Sequence, residues 1–334
     1  MIATADSNRR WRRIFLIVGA IITAYALLAP LTSLDAVQSA NVPLLADKFW
    51  FRIATFIVMF IVMATAWNII GGITGYAAFG NVAFFGIGAY TTGMLVAKAK
   101  WPFLVALPLA PVVAASFAAL IGLPLLRLRG HYFAVASLSI GEVFREVAMS
   151  WTGVTGGGMG INLPPMRPAF GTEPQMFYYS MLALALVTLA TTVLVTRSRL
   201  GVAFRCIRQN EEAASMIGID ATRAKIIAFA LSATFPGAAG ALYASWVSYI
   251  DPSDVFDILN SVKAPVMVLL GGVGTVIGPA IGALLYLVFE EIVWRSLLQF
   301  HAVMLGVIIV GLVLFLPSGF VDVLRRRRLS RSAQ

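Results

Sequence analysis

Long uninterrupted runs of apolar residues constrain this chain more than any other feature of its sequence. A helix needs about 20 residues to cross the hydrocarbon core of a bilayer, and runs such as 51–70, 104–126 and 226–248 reach that length. Hydrophobic residues make up 60% of the chain and charged residues 12%, whereas soluble domains carry about 25% charged residues. The sequence therefore predicts an all-α, polytopic bundle of transmembrane helices.

Ten membrane segments are predicted along the chain. They are 14–30, 51–70, 80–98, 104–126, 132–150, 177–196, 226–248, 262–272, 276–293 and 302–318. The eighth is too short to span alone and ends in the helix-breaking sequence Gly271-Gly272-Val273-Gly274-Thr275. Segments eight and nine are thus either a short crossing followed by a full one or a re-entrant hairpin, and either arrangement leaves an even total.

The basic residues cluster at the ends of the chain, which argues against nucleic-acid binding despite a net charge of +10. They are Arg9, Arg10, Arg12 and Arg13 before the first apolar run, and Arg325, Arg326, Arg327 and Arg328 after the last. By the positive-inside rule, both termini are expected in the cytoplasm. We therefore expect a basic tail at 1–13, a membrane domain in contact with lipid at 14–320 and a second basic tail at 321–334.

A polar loop at 197–225 interrupts the apolar pattern, and six crossings from a cytoplasmic start also place it in the cytoplasm. Apolar residues recur in it as Phe204 and Ile207, then as Ala213, Ala214 and Ile217, which predicts two short amphipathic helices. Acidic residues favour a helix start and glycine favours a helix end, as at Glu211, Glu212 and Gly218. The loop is either a docking element for a cytoplasmic partner or a solvated linker.

Two glycine clusters indicate an internal, inverted repeat, because each precedes a helix rich in small residues. Helix breaks at membrane depth expose backbone groups, which is tolerated inside protein or beside a cavity. Close helix packing is the alternative explanation for such glycines. The candidate pathway or helix-break residues are Gly72, Thr74, Gly75, Asn81, Gly271, Gly272, Gly274 and Thr275.

A charge cluster in the fifth segment consists of Glu142, Arg145 and Glu146, which share one helical face. Charge at membrane depth points into the bundle or an aqueous cavity. The cluster is therefore an internal ion pair, a pathway-lining arginine with its carboxylate, or a set of side chains reaching for the interface. The two histidines, His131 and His301, have no second ligand at metal-binding spacing, so no metal site is predicted.

Several motifs stand out in the chain: the Glu-Ala-Ala run with Gly218 beyond it, Asn68 to Tyr76, Phe79 to Tyr90, Leu128 to Ala134, Gly141-Glu142, Thr155 to Gly157 and Gly271 to Pro279. Together they resemble the branched-chain amino acid permease family of ABC importers, in particular the second of its two permease subunits. The resemblance runs from about residue 50 to 320. Importers of urea and short amides share the scaffold and remain an alternative.

This resemblance implies a subunit of the bacterial inner membrane that pairs with a second permease as a heterodimer. Two cytoplasmic ATPase subunits would dock on the loop, and an external solute-binding protein would deliver the substrate. The implied docking residues are Arg205, Arg208, Glu211, Glu212, Ala213, Ala214 and Gly218. The chain lacks a phosphate-binding Gly-x-x-x-x-Gly-Lys-Ser/Thr sequence, so ATP is assigned to the partners and no cofactor to this chain.

Two departures from the family pattern bear on the substrate more than on the fold. The family often has Gln where Tyr76 stands and His where Asn81 stands. A different class, the ion-coupled secondary transporter, would need buried carboxylates and no docking loop. A membrane-embedded enzyme would need a nucleophile with its base or a metal site, and neither is evident in the sequence.

Overall fold

The computed structural model describes residues 48–166 and 173–296. The predicted segments 14–30 and 302–318, and both basic tails, lie outside the described residues. The helices in chain order are α1 (Lys48–Asn68, continued by a π-helical turn Ile69–Ile73), α2 (Asn81–Gly93, continued by a π-helical turn Met94–Lys98), α3 (Phe103–Leu125), α4 (His131–Ser150), α5 (Thr152–Thr155), a 3₁₀ turn (Gly157–Met159), α6 (Glu173–Arg197), α7 (Arg199–Gln209), α8 (Glu211–Met216), α9 (Ala221–Val247), α10 (Pro252–Val255), α11 (Ile258–Gly271) and α12 (Gly278–Ser296).

Each of the eight predicted segments within the described residues corresponds to a helix, and the helical fold class is confirmed. Four helices are long and apolar enough to cross a membrane, at Phe51–Ile73, Phe103–Leu125, Glu173–Arg197 and Ala221–Val247. The total of ten segments stays a prediction. The all-α prediction omits one short strand pair, in which β1 (Ile161–Asn162), after α4, pairs antiparallel with β2 (Tyr249–Ile250). The backbone N–H and C=O groups of these non-helical residues have no partners within a helix, and the hydrogen bonds between β1 and β2 satisfy some of them.

The chain divides into two compact units, residues 1–55 with 168–179, and residues 56–167 with 180–334. In the first unit, the rings of Phe51 and Tyr178 meet edge to face with centroids 5.9 Å apart. The second unit contains all the candidate site residues that the sequence predicts, and the following description concerns it alone.

Small residues allow α9 to pack closely along α2 and α3, which is the main packing of the second unit. Helix α3 buries every fourth residue, at Ala106, Ala110, Ala114, Ala118 and Gly122, and exposes large apolar residues such as Leu104, Val112 and Leu120. A Cβ on Gly237 of α9 would meet the Cβ of Ala114 and the Cα of Pro111. Membrane helices associate through such small faces. The packing fixes the start of α9 beside the end of α3.

Helices α11 and α12 form an antiparallel hairpin around the second glycine cluster. Helix α11 has 14 residues, which corresponds to about 21 Å and is shorter than a bilayer core. A Cβ on Gly271 would meet the backbone of Gly278, so the two helices touch at the turn. At the open end, the Nζ of Lys263 lies 2.8 Å from the Oε1 of Glu290. The hairpin is thus held at both ends.

A row of aromatic rings leads from the core of the second unit towards the polar loop. Phe84 and Phe229 pack edge to face at 5.2 Å between centroids, and Phe229 contacts Phe133 at 6.4 Å. Phe133 in turn meets Tyr76 edge to face at 5.3 Å. The row ends at the Tyr76 hydroxyl, which is the first polar group of the candidate site.

Candidate functional site

The polar loop folds into two short helices, α7 and α8, as the sequence predicted; we refer to residues 199–216 as the two-helix segment. Helix α7 buries Gly201, Phe204 and Ile207. Asn210 caps α8, because its side chain accepts hydrogen bonds from the backbone N–H groups of Glu212 at 2.9 Å and Ala213 at 3.1 Å. Gly218 adopts a φ of +85° just beyond α8, which favours glycine and ends the helix.

Glu211, at the start of α8, is bound by two groups from other parts of the chain. Its Oε1 lies 2.7 Å from the Nζ of Lys225, and its Oε2 accepts a hydrogen bond from the hydroxyl of Tyr76. Lys225 belongs to the first turns of α9, and Tyr76 to the connection between α1 and α2. This cluster of three residues ties the two-helix segment to the membrane helices.

Lys225 is buried, with only 5% of its side chain exposed. An ammonium group has three N–H donors, and each finds an acceptor: Glu211 at 2.7 Å, the carbonyl of Leu126 at 3.0 Å and the hydroxyl of Tyr76 at 3.2 Å. A buried ion pair stabilises only when its remaining donors are also satisfied. The geometry here meets that condition.

Two pKa values in this cluster are shifted. Burial opposes ionisation of Glu211, yet the hydrogen bonds from Lys225 and Tyr76, with the nearby charges of Lys225 and Arg129, leave its pKa below the ordinary carboxyl value. Burial and the hydrogen bond to Glu211 raise the pKa of the Tyr76 phenol. At neutral pH the glutamate is therefore a carboxylate and the phenol keeps its proton, as their hydrogen bond requires.

The neighbouring carboxylate, Glu212, lies at the surface. Its Oε1 is 3.3 Å from the Nη1 of Arg129, and the two side chains are 72% and 63% exposed. Arg129 also approaches the Oε2 of Glu211 at 3.8 Å. The tip of the segment exposes two large apolar side chains, Met216 at 87% and Ile217 at 70%. Ala214 faces inward, whereas Ala213 and Gly218 are exposed.

The two glycine clusters, 71–75 and 271–275, lie against each other and against α7; we call them the first and second glycine turns. Asn68 joins them, since its Nδ2 donates to the carbonyl of Thr275 at 2.8 Å and its Oδ1 accepts from the N–H of Gly274 at 2.9 Å. Arg208 of α7 donates from Nη1 to the carbonyl of Gly72. The predicted helix-break and docking residues thus meet in one place.

The three polar side chains that were candidates for lining a pathway differ in their contacts. Thr74 donates to the carbonyl of Ile69 at 2.9 Å, and Thr275 donates to the carbonyl of Gly272 at 2.8 Å. These hydroxyls stabilise the turns themselves. Asn81 is buried, and both its amide nitrogen and its amide oxygen have no hydrogen-bond partner among the described residues. Asn81 therefore remains the strongest of the three candidates.

Glu142 and Arg145 form the ion pair that their spacing predicted, with the Nη2 of Arg145 2.7 Å from the Oε2 of Glu142. The side chains are 40% and 36% exposed within this chain, and Glu146 beside them is exposed. The structure shows the ion pair, whereas its role in internal packing, in lining a pathway or in reaching the interface stays a prediction.

Several residues of the site escaped the sequence analysis. The sequence shows Lys225 only as the last residue of the polar loop, Tyr76 as a departure from the family pattern and Asn68 as the start of a motif. The available signal was their polarity at the ends of apolar runs, where an ionisable or amide group needs a partner. Nothing in the sequence says which partner each one finds. The structure shows that Tyr76 binds the two-helix segment.

Comparison with known proteins is consistent with this architecture. The family model described as "Branched-chain amino acid transport system / permease component" matches residues 49–316. The chain is 30% identical over 318 residues to the high-affinity branched-chain amino acid transport system permease protein LivM of Salmonella typhimurium (strain LT2), covering 87% of this chain and 74% of that protein. It is also 30% identical over 309 residues to LivM of Escherichia coli (strain K12), covering 85% and 72%.

A weaker match covers a shorter part of the chain. Permease protein LivH of Salmonella typhimurium (strain LT2) is 28% identical over 137 residues, covering 41% of this chain and 44% of LivH. No solved structure matches the chain. The family match covers most of the chain, and four described helices are long enough to span a bilayer. This multi-pass membrane protein belongs to the family of permease components of branched-chain amino acid transport systems.

Proposed function

We propose that the chain is a membrane-spanning permease subunit of an ABC importer for branched-chain amino acids. In this proposal the protein lies in the bacterial inner membrane, and the loop 197–225 and both termini face the cytoplasm. It pairs with a second permease of the LivH type, and an external solute-binding protein delivers the substrate. Two ATPase subunits bind and hydrolyse ATP, and one of them docks on the two-helix segment.

One observation carries the docking proposal: the two-helix segment is anchored at its base and apolar at its tip. The buried Glu211–Lys225 pair fixes the start of α8 to α9. Met216 and Ile217, at the other end of α8, expose most of their side chains. Short helices that place apolar residues into a partner's groove are a common mode of recognition. A rigid base with an apolar tip suits the transfer of force from an ATPase.

Co-purification tests the docking. The permease is expressed with its second permease and ATPase subunits, and Met216 and Ile217 are both replaced by Asp. We expect the ATPase to be lost from the complex, while the permease stays folded in the membrane. Met159→Asp is the matched control, because Met159 is 86% exposed and lies in the loop that the proposed topology places on the opposite side. Unchanged ATPase association in the double variant would refute the docking site.

Uptake assays test the substrate class. In cells whose own importer genes are deleted, the complete system is expressed, and entry of leucine, isoleucine and valine is compared with entry of urea and acetamide. We expect uptake of the branched-chain amino acids only. Uptake confined to urea or acetamide would favour the alternative of a urea or short-amide importer.

A further inference from the structure

Arg208, one residue before the end of α7, is the point at which the two-helix segment reaches both glycine turns. Its Nη1 donates a hydrogen bond to the carbonyl of Gly72, which is 136 positions away in the chain. Gly72 lies in the π-helical turn that ends α1. A carbonyl near a helix end lacks an intrahelical partner. Arg208 supplies that partner from a different element.

Both glycine turns leave room for the Arg208 side chain because they lack side chains of their own. A Cβ on Gly75 would lie 2.8 Å from the Cγ of Arg208, and a Cβ on Gly274 would lie 2.5 Å from its Nη1. The two glycines also have φ values of +87° and +77°, which other residues rarely adopt. The close approach to Arg208 thus depends on glycine at one position in each turn.

Asn68 joins the two glycine turns by hydrogen bonds. It is fully buried, and its amide bridges from the end of α1 to the N–H of Gly274 and the carbonyl of Thr275. A Cβ on Gly72 would meet both Asn68 and the N–H of Gly274, so backbone contacts backbone at this point. The two turns are thus in direct contact through a buried side chain and through their backbones.

Each turn leads into a helix of the membrane domain. The first is followed by α2, which packs along α9, and the second by α12, which packs against α11. Lys225 and Tyr76 anchor α8. Among the α7 side chains that form hydrogen bonds within the described residues, Arg208 is the one that reaches a glycine turn. Within the two-helix segment, Glu211 thus holds the anchoring contacts and Arg208 makes the contact with the glycine turns.

We propose that Arg208 is a positioning residue that transmits movement of the two-helix segment to both glycine turns, and so to α2 and α12. This inference rests on the proposed function, since the movement originates in the docked ATPase. The guanidinium holds the Gly72 carbonyl, Asn68 carries the displacement to the second turn, and the turns set the positions of the helices that follow them.

Hydrogen–deuterium exchange in the assembled importer tests this transmission. Peptides covering 199–216, 69–80 and 271–280 are followed in lipid nanodiscs with and without ATP, under conditions that block hydrolysis. In the unaltered protein we expect ATP to change exchange in all three. In Arg208→Gln we expect the change to persist in 199–216 and to disappear from both glycine turns.

Transport provides the second readout. We expect Arg208→Gln to lower uptake about tenfold, the size of effect that a lost hydrogen bond to a charged group produces, while ATP hydrolysis by the complex stays within about twofold. Arg199→Gln removes an exposed guanidinium at the start of the same helix and serves as the matched control. Arg208→Lys keeps one donor and should recover part of the uptake.

Failure of the inference is distinguishable from failure of the proposed function. If ATP still changes exchange in both turns of Arg208→Gln, or if uptake and hydrolysis fall together in that variant, Arg208 does not transmit the movement. If the unaltered two-helix segment shows no response to ATP in the presence of the ATPase, the docking proposal itself is refuted. A misfolded variant is recognised by altered exchange without ATP throughout α9, and Arg208→Met, which removes the guanidinium and keeps an unbranched side chain, then replaces it.

Discussion

Glu211 and Glu212 are adjacent in the chain, identical in chemistry and both in the first turn of α8, yet one is largely buried and the other exposed. The Glu211 side chain is 18% exposed and meets a lysine that is 5% exposed, whereas Glu212 is 72% exposed and meets an arginine that is 63% exposed. Water and salt screen the second pair but scarcely reach the first. The base of the two-helix segment is thus fixed by one carboxylate, and the other remains at the surface.

Replacing Lys225 by Met gives the largest expected effect, because the Glu211 carboxylate loses its buried cation and keeps, as a cation, only the exposed Arg129 at 3.8 Å. Breaking a buried ion pair on one side costs about 3–5 kcal/mol. We expect a fall of that size in the free energy of local opening of α8, measured by native-state hydrogen exchange of peptides covering 211–216.

The double variant Lys225→Met with Glu211→Leu is the control for that prediction. Well-packed apolar groups often replace a buried ion pair without loss, so most of the opening free energy should return. A double variant no more stable than Lys225→Met alone would show that the charges are not what holds the base of the segment.

Acidification removes the same interaction without a mutation. Folding lowers the pKa of Glu211 below the ordinary value of 4.5, so the pair stabilises fully above pH 4.5 and is lost as the pH falls through the lowered pKa. With Cys206 replaced by Ser and a nitroxide attached at Met216→Cys, we expect label mobility to rise over that acidic range. The Glu211→Leu, Lys225→Met background should show no such rise.

Tyr76→Phe is expected to have a smaller effect, because Glu211 keeps its ion pair with Lys225. The phenol donates to Glu211 and accepts from Lys225, and a hydrogen bond to a charged group contributes about 1.5 kcal/mol. We expect a loss of that size in the opening free energy of α8. The ring still packs on Phe133, so exchange in α4 should be unchanged, and a change there would point to lost packing instead.

Much of this architecture was predictable from periodicity. The apolar runs locate helices at all eight predicted segments within the described residues, and the polar loop locates α7 and α8 with a start at Glu211 and an end near Gly218. The spacing of apolar residues and the residues that cap a helix depend on near neighbours in the chain, so both can be recognised from the sequence alone. The spacing of Glu142 and Arg145 likewise predicted their ion pair.

The long-range contacts were not predictable in the same way. Glu211 and Glu212 offer the same local signal, and only the position of α9 decides which one meets Lys225. The contacts of Asn68 with the second glycine turn and of Arg208 with Gly72 span 206 and 136 positions. Such pairs are set by helix packing. The glycines of the two turns leave room for the contacts but do not specify which distant side chain makes them.

Glu212→Gln gives the smallest expected effect and completes the comparison with Glu211. Its ion pair with Arg129 lies in water, so neither side chain is left buried without a partner when the charge is removed. We expect exchange of α8 to match that of the unaltered protein at low and at high salt. An opening free energy that falls as far as in Lys225→Met would contradict the division between an anchoring and a surface carboxylate. A loss of ATPase binding with α8 unchanged would assign Glu212 to the docking face, because a side chain that its own chain leaves exposed is free to contact a partner.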